Sequence, residues 1–386
     1  MLGAFLKFSI PVYWIILLLV QANIFPNFFG YIFLGIYIFL TLFFLFKNPN
    51  LFLHKAFTVL ILITIVTLLY FILFDPTVSG FQYLAARTVT LAMIAIGVYY
   101  YHEYLIENYA KILIWFGFAF LMYGVLTNHN FGGRYSGPFW NPNSLGWISA
   151  LLFGLVLFEF EKSKIKYFLL LFFLAMALMS GSRAAFGGIV LAFLIRGEIT
   201  KKNILFLIVA LVLLLIANKI ALDYGFHTGL ERLVSSEKTS QGLLSGREHE
   251  WLYSIEAISK KPISGYGLDH YAHIPNEILL KHGVYRIDRG FAANPHNSFI
   301  AVMIQYGLIF GSFILLMLLY YTIRIFIKKC PKKSLLFMTV YSFFSAAIES
   351  YLFGISAFEG FTFWSALPLC LMAIYTQNKK REAVEN

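Results

Sequence analysis

SGREHEWLYSIEAISKKPISGYG, Ser245–Gly267, lies inside the one polar stretch of an otherwise apolar chain, Asp223 to Asn297. Ser245-Gly246-Arg247-Glu248 reads as a capping box: the serine covers a helix start, and the glutamate three residues on answers it. Trp251, Ile255 and Ile258 then recur at helical spacing on one face, with Glu248, Glu250 and Lys260 among the polar positions. Pro262 and the turn Gly265-Tyr266-Gly267 close the helix. An insert with its own start and stop signals is folded, and this one is long enough to form a cap outside a membrane. It ends in NPHNSF, Asn294–Phe299.

Outward from this stretch the chain reads as membrane. Hydrophobic residues make up 60% of its 386 residues and charged residues 13%, about half the charged share of a soluble domain; the mean hydropathy is +0.75. Runs of about 20 apolar residues are needed per span. They predict about twelve: 8–27, 30–46, 54–74, 83–101, 110–127, 143–160, 166–181, 183–196, 203–221, 296–323, 334–353 and 358–376. The expected fold is an all-α polytopic membrane protein with a large external loop containing helices. Residues 1–222 form an N-terminal bundle, 223–295 the cap and 296–386 the last spans, in one integrated domain. The N-terminus is apolar from Phe8 to Val20 without a small-residue cleavage site, and reads as a first span. Cys330 and Cys370 beside a lysine-rich loop do not suggest a disulfide.

The net charge of +11 does not point to nucleic acid, because most Lys and Arg lie in short loops between spans. Lys47 and Lys55; Lys162, Lys164 and Lys166; Arg196, Lys201 and Lys202; Arg324 to Lys333; and Lys379 to Arg381 fall on one side, which the positive-inside rule makes cytoplasmic. Both termini are then inside and the 223–295 loop outside. Only Arg87, Arg134 and Arg183 are basic on the remaining outer loops. An arginine there can snorkel to lipid headgroups, but these have a common setting. Arg134 lies in GGRYSGPFWNPNSLGW (Gly132–Trp147), where Asn141-Pro142 signals a helix start beside Asn143. Arg183 lies in SGSRAAFGG, a Ser-capped start, and Arg247 in the first turn of the external helix. His296 follows Asn294-Pro295, read as another cap-plus-Pro start and followed by Asn297. Outward-facing helix N-termini with arginines suit an anion such as pyrophosphate. His296, held neutral by its helix end, suits a general base. Trp140, Trp147 and Trp251 read as belt or cap residues. His270 and His273 lack a third close ligand, so no metal is expected; no Asp-x-Asp pair lies outside, and Asp75 is the only acid in the loop after the third span.

GRYSGPFWNPNSLG, SGSRAAFGG, GREHEWLYSIEAISKKPISGYGLDHY and PHNSFIAVMIQYGLIFG, in this order, resemble the O-antigen ligase and polymerase superfamily over about Gly132 to Gly311. The resemblance implies a GT-C-like fold and an inverting, metal-independent glycosyltransferase without cofactor. Its donor is an oligosaccharide on undecaprenyl pyrophosphate, used at the outer face of the bacterial cytoplasmic membrane. The family's essential arginines match Arg183 and Arg247, and its histidine matches His296. Arg134 joins the anion site, with Asn141, Asn143, Asn297 and Trp251 in support. In the ligase branch, nine residues after His-Asn are followed by Gly-x-x-Gly/Thr/Tyr. Gly307 fits, but Phe310 stands at the last position and Gly311 comes one residue late, which favours the polymerase branch. The acceptor is then a lipid-linked glycan, with a chain-length regulator as a candidate partner; for a ligase it is lipid A–core. A transporter of lipid-linked sugars is the reading from another class, opposed by the absence of charge from the middles of the expected spans.

Overall fold

A computed structural model describes residues 2–127, 129–131, 134–197, 212, 216, 247–268, 274–283, 294–354 and 357–385, with backbone alone at 129–131, 247–249 and 385. The chain is mostly helical. Its elements are α1 (Leu2–Gln21), α2 (Phe28–Lys47), α3 (Thr58–Phe74), α4 (Val78–Thr127), a hairpin of β1 (His129–Phe131) and β2 (Arg134–Gly137), α5 (Pro142–Glu159), α6 (Lys164–Met179) and α7 (Arg183–Arg196). After the cap begins, α8 (Arg247–Lys260), α9 (Asn276–Lys281), α10 (Ser298–Ile327), α11 (Lys333–Ser345) and α12 (Phe358–Glu385) follow. Among the described residues seven helices are long and apolar enough to cross a membrane: α1 to α5, α10 and α12, with α3 extended by a short 3₁₀ turn at its start.

The expected spans, other than 203–221, coincide with a helix or half of one. That range lies outside the described residues except at 212 and 216, as do Ser245, His270 and His273. The spans at 83–101 and 110–127 are the two halves of α4, which breaks at Tyr101 (φ −131°, ψ 23°). Unbroken, its 50 residues would run about 75 Å at 1.5 Å per residue, more than twice a bilayer core. Helices α6, α7 and α11 have 16, 14 and 13 residues, fewer than a span usually needs. The expected span 334–353 stops at Ser345; residues 346–354 are irregular. The hairpin is an addition to the all-α expectation, and it carries Arg134.

The bundle has two chemically distinct ends. At one, lysines cap helix C-termini, where carbonyls lack partners. Lys166 Nζ donates to the carbonyls of Leu157 (3.0 Å) and Phe160 (2.6 Å), Lys332 Nζ reaches Glu159 Oε2 at 3.1 Å, and Lys333 Nζ donates to Arg196 O at 3.1 Å. Helix α5 is the axis between the ends, and its glycines admit neighbouring side chains. A Cβ at Gly154 would lie 2.1 Å from the Phe337 ring, and one at Gly146 2.5 Å from Ser182 Cβ. Close approach through small residues is how helices associate in lipid. Trp147, expected as a belt or cap residue, is instead core: it stacks on Tyr341 (5.5 Å between centroids), and its Nε1 donates to Ser345 Oγ at 2.8 Å.

At the other end the cap docks on a break in α10. Gly307 adopts φ 72°, ψ 175°, so the expected continuous span 296–323 is two helices, and Gly311 returns to within contact of Met303. The break leaves backbone groups unpaired, and residues 262–268 take them up. Leu308 N donates to Pro262 O (2.6 Å), Tyr266 N to Ile304 O (2.8 Å) and Gly267 N to Gln305 O (3.2 Å). Asp75, which is buried, fixes the far side by accepting from Leu268 N at 2.7 Å. The Tyr70 hydroxyl lies between the carbonyls of Ser264 and Gln305. Tyr253, Ala257, Tyr266, Ile278 and Ile304 close a second small core beneath α8.

A Cβ at Gly307 would sit 2.3 Å from Ile263 O, on backbone that cannot move aside cheaply. Positive φ with ψ near 180° is essentially restricted to glycine, and costs a side chain about 1–3 kcal/mol. Gly307→Ala is expected to lower the melting temperature of the purified protein and to open the 262–268 segment to protease. Gly30→Ala, where a Cβ meets nothing within 4 Å, should do neither. Equal behaviour of the two variants would show that the docking does not hold the cap.

Candidate active site

Arg134, Asn141, Asn143 and His296 are brought together where α5 and α10 begin, beside the turn that precedes α7. Asn141 takes the N-cap of α5, its side chain accepting from Asn143 N at 2.9 Å with Pro142 in the first turn. The Asn143 side chain is thereby turned to other partners. Its Oδ1 accepts from Arg134 Nη2 at 2.8 Å, and its Nδ2 donates to Glu349 Oε1 at 2.8 Å. Arg134 also donates from Nε to Ser180 O at 2.7 Å, which ties the hairpin to the turn before α7. Arg183 is the exposed first residue of α7. Ser182 occupies the N-cap position, but its side chain makes no capping bond, contrary to the Ser-capped start expected; Ser180 Oγ accepts from Ser182 N instead.

His296 needs a correction of the same sort. The cap of α10 is Asn297, whose Oδ1 accepts from Phe299 N (2.9 Å) and Ile300 N (3.1 Å). Asn294 caps no helix; its Oδ1 accepts from His296 N at 2.9 Å. His296 therefore stands before the helix, with φ 46°. A left-handed histidine costs of order 1–3 kcal/mol and persists where its surroundings dictate it, commonly at functional sites. Here they do: Asn297 N donates to Ser350 Oγ (2.8 Å), Ser298 N to Ala346 O (2.8 Å) and Ser298 Oγ to Glu349 O (2.6 Å). The strained turn is thus laced to residues 346–350.

What orients the imidazole is a carboxylate rather than a helix end. His296 Nδ1 lies 3.2 Å from Glu349 Oε2, and Nε2 lies 3.9 Å from Glu250 Oε1. An ionised carboxylate only accepts, so Nδ1 donates, and neutral His296 carries its lone pair on Nε2. The side chains of His296 and Glu349 are 31% and 17% exposed: reachable by a substrate, yet shielded enough for the contact to matter. Trp251 Nε1 donates to Pro295 O at 3.1 Å, so α8 braces the loop that presents the histidine. Arg247 opens α8 one turn ahead of Glu250 and Trp251; its side chain lies outside the described part.

A continuous chain of contacts, Ser180–Arg134–Asn143–Glu349–His296, therefore joins four separate segments. Glu349 was missed in the sequence because it lies inside an apolar run counted as a span. It is one of only two acids between Asn297 and Gln377, the other being Glu359, and an acid in such a run is itself a signal. Arg87 stands apart from this chain and is not on a loop. It is buried within α4, donating to Tyr83 and to the Phe353 carbonyl.

Residues 168–316 match the family model described as O-antigen ligase. The matched part contains Arg183, Arg247, His296 and Gly307, and it supports the O-antigen ligase and polymerase superfamily: membrane enzymes of polysaccharide assembly acting on lipid-linked glycans. No curated protein matches the chain. Arg134, Asn143 and Glu349 lie outside the matched residues.

Glu349→Gln retains shape but cannot accept from both Asn143 Nδ2 and His296 Nδ1 through carboxylate oxygens. Loss of an orienting carboxylate beside a catalytic histidine costs up to about 10⁴-fold in rate in a well-studied case. Glu349→Gln is expected to lower turnover of the family reaction at least about 10²-fold with the melting temperature nearly unchanged. Full turnover by this variant would remove Glu349 from the site.

Proposed function

We propose that this chain is a bacterial inner-membrane glycosyltransferase that moves a glycan from undecaprenyl pyrophosphate to an acceptor hydroxyl at the outer face. The most direct support is the Ser180–Arg134–Asn143–Glu349–His296 chain of contacts, in which a histidine, a carboxylate and an arginine lie together near helix starts. The polymerase reading, with a lipid-linked glycan as acceptor, follows from Phe310 in place of the ligase residue. The fold is GT-C-like, with about twelve spans, and residues 223–295 form the external cap.

The acceptor hydroxyl approaches His296 Nε2. As its oxygen attacks the anomeric carbon from the face opposite the leaving group, the proton passes to Nε2 and the bond to the pyrophosphate oxygen breaks, giving inversion. The imidazolium so formed is stabilised by Glu349, the role a buried acid plays beside a catalytic histidine. Arg183 and Arg247 hold the pyrophosphate and stabilise the charge that grows on it, with the N-termini of α5, α7 and α10 adding partial positive charge. Arg134, committed through Nε and Nη2 to Ser180 and Asn143, contributes charge and frame. Arginines carry the charge stabilisation that a metal supplies in other transferases. The polyprenyl tail lies between spans.

His296→Ala should lower transfer by about 10²–10⁴-fold, the usual share of general-base catalysis, while donor binding survives. Arg183→Lys and Arg247→Lys should also lose activity, because an ammonium cannot replace the guanidinium fork. The assay uses purified protein in nanodiscs with a lipid-linked glycan and chelator. Normal product from the alanine variant would refute the base; movement of lipid-linked glycan across the bilayer without transfer would favour a transporter. For orientation, a cysteine at exposed Ser259 of α8 should be labelled from the outside and one at Lys328 should not. The reverse pattern would place the site on the wrong side of the membrane.

A further inference from the structure

The mechanism gives Glu349 a task and leaves unused the carboxylate on the other edge of the same ring. One face of α8 carries Glu250, Tyr253 and Ala257 at helical spacing. Tyr253 and Ala257 are fully buried in one core with Ile304 of α10. Glu250, a turn earlier on that face, therefore reaches the turn that precedes α10. There its Oε1 lies 3.9 Å from His296 Nε2, while Nδ1 on the far edge meets Glu349 at 3.2 Å. The bond from Trp251 Nε1 to Pro295 O holds α8 in this place. The side chains of His296 and Glu250 are 31% and 29% exposed, so a small polar group can reach both.

While His296 is neutral these two atoms cannot bond each other. Nε2 then carries a lone pair, an ionised carboxylate only accepts, and 3.9 Å is too long for a hydrogen bond. The hydroxyl that reacts must lie at Nε2, hence beside Glu250 Oε1, and its single proton goes to Nε2. A hydrogen for the carboxylate then comes from another hydroxyl of the same acceptor. On a sugar ring the one within reach is on the adjoining carbon. We propose that Glu250 binds the acceptor sugar through the hydroxyl next to the attacking one, so that the acceptor class is a sugar with two adjacent free hydroxyls. The neighbouring hydroxyl keeps its proton throughout. A site built to bond a substrate hydroxyl discriminates against an analogue that lacks it, because the site's own polar group is left unpaired. The base is thus set by the start of α10 and the choice of acceptor by the cap. The inference rests on the transfer reading above.

The test measures transfer by the purified full-length protein in nanodiscs. The donor is an undecaprenyl-pyrophosphate-linked glycan O-methylated at its acceptor sugar, so that it can only donate. The acceptor is the unmethylated glycan on a non-cleavable phosphonate-linked lipid, together with monodeoxy analogues, one for each hydroxyl of the acceptor sugar. Wild type should need two adjacent hydroxyls. Loss of one abolishes transfer, and loss of its neighbour raises the acceptor KM about 10–100-fold, the usual share of a hydrogen bond to a charged group. Glu250→Ala should raise the KM for the full acceptor by the same factor, leave the donor KM unchanged, and no longer distinguish the full acceptor from the neighbour-deoxy analogue. Glu250→Gln, which keeps the shape and one accepting oxygen, should recover part of the loss. An unchanged acceptor KM in Glu250→Ala overturns the assignment and leaves the transfer reading standing. So do effects of variant and analogue that multiply, as they would if Glu250 were only structural. A collapse of kcat at unchanged acceptor KM overturns it as well, by making Glu250 the base. No transfer by wild type to any acceptor overturns it together with the transfer reading.

Discussion

A helix that breaks within a membrane must find partners for the backbone groups it releases, because lipid supplies none. In α10 the break is at Gly307, and the partners are Pro262 to Gly267 of the cap. The cap is thus part of the bundle's own hydrogen bonding rather than an appendage. The same requirement governs residues 346–354, irregular backbone at the start of α12. Ser298 alone satisfies much of that segment: its hydroxyl donates to Glu349 O and accepts from Tyr351 N and Leu352 N at 3.1 Å each. The first half of α10 is consequently clamped at both ends by non-helical chain. His296 stands before its start, and the cap sits on its end.

This arrangement explains how a strained histidine is held. The 294–298 turn, Glu349 and the start of α5 each bond to the next, and α8 closes over them through Trp251. The charges alternate along the chain of contacts: a guanidinium, an amide that passes polarity through both its ends, a carboxylate and an imidazole. A proton gained at Nε2 therefore meets negative charge directly behind the ring. On the side of α7, Arg183 is the exposed first residue of its helix. His296 and Arg183 lie on separate segments, joined through Glu349, Asn143, Arg134 and the Ser180 turn.

The sequence foretold the elements whose cause is local. Apolar length placed the helices, and Asn141-Pro142 marked the start of α5, because an Asx cap and a first-turn proline are properties of adjacent residues. Arg134 and His296 were found by their motifs. Elsewhere a nonlocal cause decided. Asn294-Pro295 carries the same local signal as Asn141-Pro142, but Ser350 and Ala346 hold the backbone of 297 and 298 and move the helix start to Ser298. Glu349 was hidden because its value comes from Asn143, 206 residues away. Arg87 was assigned to a loop because span edges read from hydropathy are uncertain by a few residues. The hairpin at 129–137 was too short for any periodicity to register.

The three short helices have a consequence for the bilayer itself. At 1.5 Å per residue α6, α7 and α11 reach about 24, 21 and 20 Å, against about 30 Å of hydrocarbon. Leu171, Phe186 and Phe344 are exposed along them. Hydrophobic mismatch of this size is relieved by thinning the surrounding leaflets. A short helix at a lipid boundary draws the headgroup plane toward its ends, and Arg183 is the exposed first residue of α7. Membrane thickness becomes a variable of the enzyme: a thicker bilayer raises the elastic cost of that dimple, and a thinner one lowers it.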